Sequence, residues 1–422
     1  MRTAALETAV PAGADPRRYA RLLARVWEAT LAGAPRPTDP RPVIDESWRR
    51  LRLRGVDPDC GADPHPVGVG ELERRRRESG FAAVLPTLRA GLVSVADQAA
   101  HIMVVVDADG TLLWREGSTA VRRRADGLGF VEGACWGEER VGTNAIGTAL
   151  VIGRPLQVYS AEHYVRSHHA WTCAAAPVHD PRDGRLLGVV DLSGPAATVH
   201  PSTLALIDAV TKLAEAQLRT AHSADLDLLR AVATPVLARI SGRALTVDPH
   251  GWVAATTGVA PVDRILLPER VGAGPTWLPA FGSCVLEPLP GGWLIRLTDD
   301  ETAPPTRTVV DLRQSRHPTL TVSSASGTWQ QNLSPRHAEI LFVLAAHPSG
   351  RTASQLSEDL FGDPGRTVTV RAELSRLRRH LGGVLDHRPY RIADHIDLVV
   401  ERPADPSQLL PASAAPAVRA LR

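Results

Sequence analysis

At 422 residues the chain exceeds one ordinary core, and usual domain sizes point to about two to four folded units. An apolar fraction of 44% with 22% charged residues excludes global disorder. A net charge of only +2 excludes a histone-like nucleic-acid coater, so any DNA-binding charge must be local.

Of the 48 basic side chains only Lys212 is a lysine; the rest are arginine, always charged and suited to planar two-point contacts. Cys60, Cys135, Cys173 and Cys284 are widely spaced and form no CxxC pair, which fits a reducing compartment better than a secreted disulfide framework. No apolar run reaches signal-peptide or membrane-span length, so a soluble cytoplasmic protein with no membrane partner is expected.

Residues 1–69 read as a helical N-terminal segment, with RRYARLLARVWEATLAG and VIDESWRRLRLRG separated by the breaker-rich APRPTDPRP. Residues 70–222 read as a sensor-type domain. A polar helix carries Arg74 to Arg77, a solvated face rather than a binding site, and a second helical stretch follows. HIMVVVD, ADG and TLLWRE give strand, turn, strand; ERVGTNAIGTALVI is helical; PLQVYS, WTCAAAPVHD and RLLGVVDLSG are further strands. Pro201 to Thr220 closes the unit with a helix bearing Leu204, Ile207, Thr211 and Leu218. Mixed α+β with an antiparallel sheet is expected.

Residues 223–308 open on a leucine-rich helix and continue in short strand-like runs, a small β-rich connector with no legible chemistry. Residues 309–400 give VVDLR, TLTVS and GTWQQN as strands, then three helices and a hairpin-like end, RPYRIADHIDLVV; residues 401–422 read as a flexible tail. Ser334 and Pro335 open the first of these helices, and Thr352 with Gln355 forms a capping box for the second. On the third, Val370, Leu374, Leu377 and Leu381 recur on one core-facing stripe. Its other faces carry Arg371, Ser375, Arg376, Arg378 and Arg379, groups able to reach phosphates and guanine edges.

The run LSPRHAEILFVLAAHPSGRTASQLSEDLFG, then RTVTVRAELSRLRRHLGG, then RPYRI, resembles the winged-helix effector domain of OmpR-type response regulators. The resemblance implies a winged helix-turn-helix that binds double-stranded DNA, with Arg376 and Arg378 at bases and Thr367, Arg371 and Arg379 at phosphates. Arg388 and Arg391 on the wing join the phosphate candidates. The loop GDPGRT before the third helix is short, and RNA polymerase stands as a further candidate partner.

Residues from about Glu46 to Pro195 resemble the sensor of acetoin-catabolism activators and related GAF-containing regulators. ESWRR with GVDPD, GACWGEERVGTNAIGTAL, AEHYVRSHHAWTCAAAPVHDP and GRLLGVVDLSGP carry the likeness. It implies a GAF-like domain that binds a small organic effector and regulates transcription. Trp136, Thr143, Asn144, Thr148, His163, His169 and Cys173 are the candidate effector residues, and the glycines of VGTNAIGTA read as packing positions.

His163, His168, His169 and Cys173 could in principle ligate a metal or haem, but adjacent histidines point oppositely and no closed-site spacing occurs. Pocket hydrogen bonding is the better reading, and no metal or cofactor is assigned. The central ATPase of those activators needs Gly-Lys-Ser/Thr, and the single lysine follows Thr211, so ATP hydrolysis is not carried over. The expectation is a non-enzymatic, homodimeric regulator. The alternative is a ligand- or redox-sensing module whose helix-turn-helix makes protein contacts.

Overall fold

The computed structural model describes residues 6–59, 65–268, 271–278, 281–298, 307–313, 318–324, 327–381, 384–393, 396–411 and 413–422, without the side chains of residues 324, 327–329, 379 and 380. Cys60 lies outside the described residues. The chain divides into two compact units, Met1–His222 and Ser223–Arg422.

In the first unit, α1 (Pro16–Ala32) starts where Asp15 accepts from the Arg17 amide at 2.8 Å, and α2 (Pro42–Leu53) follows the proline-rich break. Their amphipathic stripes, Leu23, Val26 and Trp27 with Val43, Ile44, Trp48 and Leu51, join the core of the sheet that follows. Residues 1–69 are therefore not a separate segment: neither helix can bury its stripe alone, and both use the sheet. Each buried indole satisfies its N–H, Trp27 on the Tyr164 carbonyl at 2.9 Å and Trp48 on that of Glu162 at 3.0 Å.

Next come α3 (Val69–Glu78), α4 (Leu85–Gln98), β1 (Ile102–Asp107), β2 (Leu112–Gly117), α5 (Thr119–Asp126), α6 (Glu138–Val141) and α7 (Ala145–Ile152). They are followed by β3 (Leu156–Tyr159), β4 (Trp171–His179), β5 (Leu186–Pro195) and α8 (Pro201–Leu237). The five strands form one antiparallel sheet in the order β2-β1-β5-β4-β3. Alternation along β1 sends Ile102, Val104 and Val106 to the core containing α1, α2 and α7, and Met103 and Val105 to the core containing α4 and α8. Both faces are covered, so β1 is buried throughout. In place of two separate helices, α8 is one continuous helix of 37 residues, since the sequence places no breaker between Thr220 and Leu226.

The second unit carries β6 (Ala244–Val247), β7 (Val253–Thr257), β8 (Gly274–Leu278), β9 (Gly282–Leu289) and β10 (Gly292–Leu297) as an antiparallel sheet ordered β7-β6-β10-β9-β8. Then follow β11 (Arg307–Asp311), β12 (Thr319–Ser324), β13 (Gly327–Asn332), α9 (Pro335–Ala346), α10 (Ala353–Phe361) and α11 (Thr367–Leu381). The unit ends on β14 (Leu385–Asp386), β15 (Arg391–Ile392), β16 (Leu398–Glu401) and α12 (Pro416–Arg419). The hairpin is β14 with β15 alone; LVVE returns as β16 to pair parallel with β11 at the edge of a second sheet, β13-β12-β11-β16.

Ser334 accepts from the His337 amide at 3.1 Å, and Thr352 and Gln355 exchange capping bonds at 3.2 and 2.9 Å, as the cap residues require. One hydrophobic core runs from Leu245, Leu286 and Ile295 through Phe342, Leu356 and Leu374. The β-rich stretch and the helices thus share their interior. That core also takes Leu409, Leu410, Ala415 and Val418, so residues 401–422 pack instead of forming a loose tail; an apolar cluster of this kind is driven out of water.

Within the first unit, α6 and α7 touch backbone to backbone: a Cβ at Gly147 would stand 2.3 Å from the Glu138 amide nitrogen. Gly147→Ala is therefore expected to lower the stability of the first unit by at least about 1–3 kcal/mol, the cost of overpacking. Denaturant unfolding of the two proteins measures it, and an unchanged midpoint would disprove the backbone contact.

Candidate functional site

A small cavity opens in the first unit between the sheet and the start of α7. It is narrow, admitting only a molecule of a few non-hydrogen atoms unless side chains move. Leu128, Phe130, Trp136, Ala145, Ile146 and Trp171 make it mainly apolar. Cys173 from β4 and Asp191 and Ser193 from β5 form its floor, and Asn144, His163 and His168 complete the polar lining.

Asp191 is fully buried at the centre of the sheet, paired across it with Val104 on one side and Ala175 on the other. Ser193 Oγ donates to Asp191 Oδ2 at 2.5 Å, while Oδ1 has no partner. Burial, opposed only by that one hydrogen bond, pushes the carboxyl up to about 8. The thiol of Cys173 is also raised, first by burial and then by the adjacent Asp191.

The imidazoles are held neutral. Burial, then the like charge of His168, brings His163 down to about 3; burial, then His169, brings His168 to about 4. His163 Nδ1 lies 2.9 Å from the Ser160 carbonyl oxygen, which fixes the proton on Nδ1. His168 stacks at 5.3 Å on Trp136, and its Nδ1 is buried without a partner. Among the described residues no three His, Cys, Asp or Glu side chains converge as a metal-ligand set.

Of the residues expected at an effector site, Trp136, Asn144, His163 and Cys173 are brought together here. Asn144 lines the cavity but is already engaged: as the cap of α7 it accepts from Gly147 N at 2.9 Å and donates to the Gly142 carbonyl at 2.8 Å. Thr143, Thr148 and His169 lie outside the lining. The Thr143 hydroxyl contacts Ser47 Oγ at 2.5 Å, and Thr148 donates to Glu138 Oε1 at 3.0 Å. Glu138 also accepts from Ser47 and from both ends of the Arg50 guanidinium at 2.9–3.0 Å, so these threonines serve a buried network joining α2, α6 and α7. His169 packs edge-on against Trp27 at 4.9 Å, with Nε2 3.2 Å from the His163 carbonyl; burial is the first cause of its lowering to about 4.

Sequence reasoning missed Asp191, Ser193, Phe130 and Trp171, and passed over His168 in favour of His169. The signal for Asp191 was present: a lone acid inside the apolar run LLGVVDLSG.

In the second unit, α11 turns Val370, Leu374, Leu377 and Leu381 inward, as the spacing predicts. Thr367, at its start, is half-buried, and Arg371, Ser375 and Arg376 are exposed. Arg371, Ser375 and Arg378 share a stripe that lines a shallow groove with Tyr390, beside the hairpin. Positions two apart on a helix diverge by about 200°, so Arg376 and Arg378 do not share a face. Arg376 instead pairs with Glu373 at 2.5 Å, and Arg378 Nε is buried without a partner. The Arg379 side chain lies outside the described residues. Arg388 is exposed on the hairpin turn, and Arg391 spans the hairpin to Asp386 at 3.2 Å.

The chain is similar to transcriptional regulators of catabolic operons. Residues 25–218 match the family described as MimR, N-terminal domain. Relatives include the acetoin dehydrogenase operon transcriptional activator AcoR of Bacillus subtilis, 38% identical over 42% of this chain and 29% of that one. The propane 2-monooxygenase operon transcriptional activator MimR of Mycolicibacterium goodii is 34% identical over 46% and 32% respectively. An uncharacterized 47.3 kDa protein in the thcA 5' region of Rhodococcus erythropolis is 33% identical over 83% of this chain and 63% of its own length. The chain thus spans under two thirds of that relative and about a third or less of the named activators. Among solved structures, the Escherichia coli DhaR(N)–DhaL complex matches at 20% identity over 61% of this chain and 99% of that one, with a TM-score of 0.42. These relatives are described as transcriptional activators or regulatory proteins. Among the described residues no helix is long and apolar enough to cross a membrane.

The titrations set a pH signature. Asp191 ionises near 8 when folded against an ordinary 3.8, so its contribution to stability is complete below 3.8 and is lost as pH rises through 8. The depressed histidines act oppositely: their contribution is complete above 6.5 and is lost as pH falls toward 4 and then 3. Asp191→Asn, which cannot ionise, should therefore gain thermal stability relative to wild type between about pH 6 and about pH 8. Calorimetric scans of both proteins across that interval check it. An unchanged difference would mean that Asp191 does not titrate there.

Proposed function

We propose that the chain is a cytoplasmic DNA-binding transcription regulator controlled by a small organic effector in its first unit. On this reading the first unit is a GAF-like sensor and the second ends in a winged helix-turn-helix, with β14 and β15 as the wing. The observation that carries it is the cavity, whose buried Asp191 Oδ1 and His168 Nδ1 lack partners, within a segment similar to operon activators. A solitary domain has no use for an unsatisfied buried carboxyl, whereas a ligand site does. No ATPase module belongs to this reading, because the sequence contains no phosphate loop.

On the output side, α11 enters the major groove of double-stranded DNA. The inward stripe of Val370, Leu374, Leu377 and Leu381 sets the opposite face outward, and Arg376 lies nearer that face than Arg378 does. Arg376 therefore reads bases, while Thr367, Arg371 and Arg378 meet phosphates along the groove beside Tyr390. Its exposed pair with Glu373 is weak enough to exchange for a guanine edge. Ser375 and Arg379 belong to the same surface, and Arg388 and Arg391 to the wing. RNA polymerase is the further partner of an activator of this kind.

Binding titrations against an operator fragment and a random duplex at several salt concentrations test the assignment. Arg376→Ala should lose about 1–3 kcal/mol of discrimination, whereas Arg371→Ala and Arg378→Ala should weaken both duplexes alike and reduce the salt slope by about one unit. Retained sequence preference in Arg376→Ala would remove it from base reading. A homodimer is the working assembly, for paired readers need paired sensors and α8 leaves Leu213, Leu228 and Val232 exposed. Sedimentation of the full chain with and without DNA should give the dimer mass; monomer alone in both would contradict it.

A further inference from the structure

α11 carries on its outer face a side chain that neither packing nor charge accounts for. Val368, in the first turn, is 77% exposed, although a β-branched residue disfavours a helix and this one adds nothing to the core. A single bare valine is ordinary on a surface, so its direction decides what it means. At about 100° per residue, Val368 points about 150° away from the mean of the buried stripe Val370, Leu374, Leu377 and Leu381, and the exposed Ala372 about 170° away. Arg371 stands about 90° from that stripe on one side and Arg376 about 130° on the other. Over the first two turns the outermost line of α11 is therefore small and uncharged, with a guanidinium on either flank.

A DNA major groove offers the matching pattern. Phosphates and guanine edges take arginines, and the C5-methyl of thymine is the one apolar group that the base edges present there. The first turn of α11 holds no acidic side chain, so this end of the helix brings no carboxylate of its own toward the phosphates. The N-terminal residues of an entering helix are also those that reach the bases.

We propose that Val368 reads thymine, its two methyl groups covering the C5-methyl of a thymine in the major groove while the small Ala372 lets the base edges approach. This rests on the reading of α11 as the helix that enters DNA, and it adds a base that arginine does not select. Val368 and Arg376 stand about 12 Å apart along the helix axis, so the thymine belongs to a different base pair from the guanine that Arg376 meets. At that separation the two contacts contribute independently.

The full chain is used to enrich binding sites from a random duplex pool, and each thymine of the enriched site is then replaced singly by uracil, which removes the methyl group alone. Affinities of wild type, Val368→Ala and Arg376→Ala are measured for every duplex at one salt concentration. At one thymine position per half-site, wild type should lose about fourfold on replacement, the worth of one buried methyl group. Val368→Ala should bind the thymine and uracil duplexes within about twofold of each other, whereas Arg376→Ala should keep the wild-type ratio.

Tolerance of uracil at every position, or an undiminished thymine preference in Val368→Ala, overturns the proposal and leaves base reading by Arg376 untouched. A pool that yields no recurrent sequence overturns both this proposal and the reading of α11 on which it rests. Because Val368 is exposed, its alanine variant should unfold at the wild-type midpoint, which a thermal scan of the full chain checks. Should that variant fail to fold, the thymine-to-uracil ratio of the wild-type chain decides alone.

Discussion

Everything in the first unit follows from a sheet that can leave neither face to water. Five antiparallel strands with apolar residues on both sides need two covers, and the chain supplies one from α4 and the start of α8 and the other from α1, α2 and α7. Burial on both faces makes β1 apolar throughout, and it also makes any polar side chain in a central strand expensive. Asp191 is such a residue. Its position between β1 and β4 leaves it no route to solvent, and the protein answers with a proton and a single serine bond instead of a cation.

The same face shows the opposite solution a short distance along the chain. Glu138 is also buried, yet it is fully engaged, holding Arg50, Ser47 and Thr148 at once. Arg41 and Glu162 form a second such pair, with the Glu162 carboxylate also accepting from the Tyr159 amide at 3.0 Å. Two acids on this face are saturated and one is not. That contrast sets Asp191 apart from the salt-bridge networks of Glu138 and Glu162.

Much of the element order was legible because it is local. The caps at Ser334 and Thr352, the strand-turn-strand around Ala108–Gly110 and the inward stripe of α11 are written in spacings of a few residues. What escaped was long-range. Nothing near Trp27 or Trp48 says that their indoles will seek carbonyls more than a hundred residues away, so the N-terminal helices looked separate. The terminal Leu409–Val418 stretch looked loose for the same reason, since its partners are in a core assembled from the whole second unit. At the cavity, residue type alone could not divide Thr143 and Thr148, which serve Glu138, from Asn144, which faces the space; only the turn of α7 does. Similarly, His168 and His169 are adjacent letters whose side chains part company once the backbone is drawn.

The backbone contact at Gly147 gives α7 a mechanical character. Its first turn overhangs the cavity, its next residues press without slack against α6, and Thr148 grips the carboxylate that α2 also holds through Arg50. A helix so fastened cannot swing open as a flap. A displacement of Ala145 or Ile146 would therefore pass through Gly147 and Thr148 to Glu138, and from its carboxylate to Ser47 and Arg50 on α2.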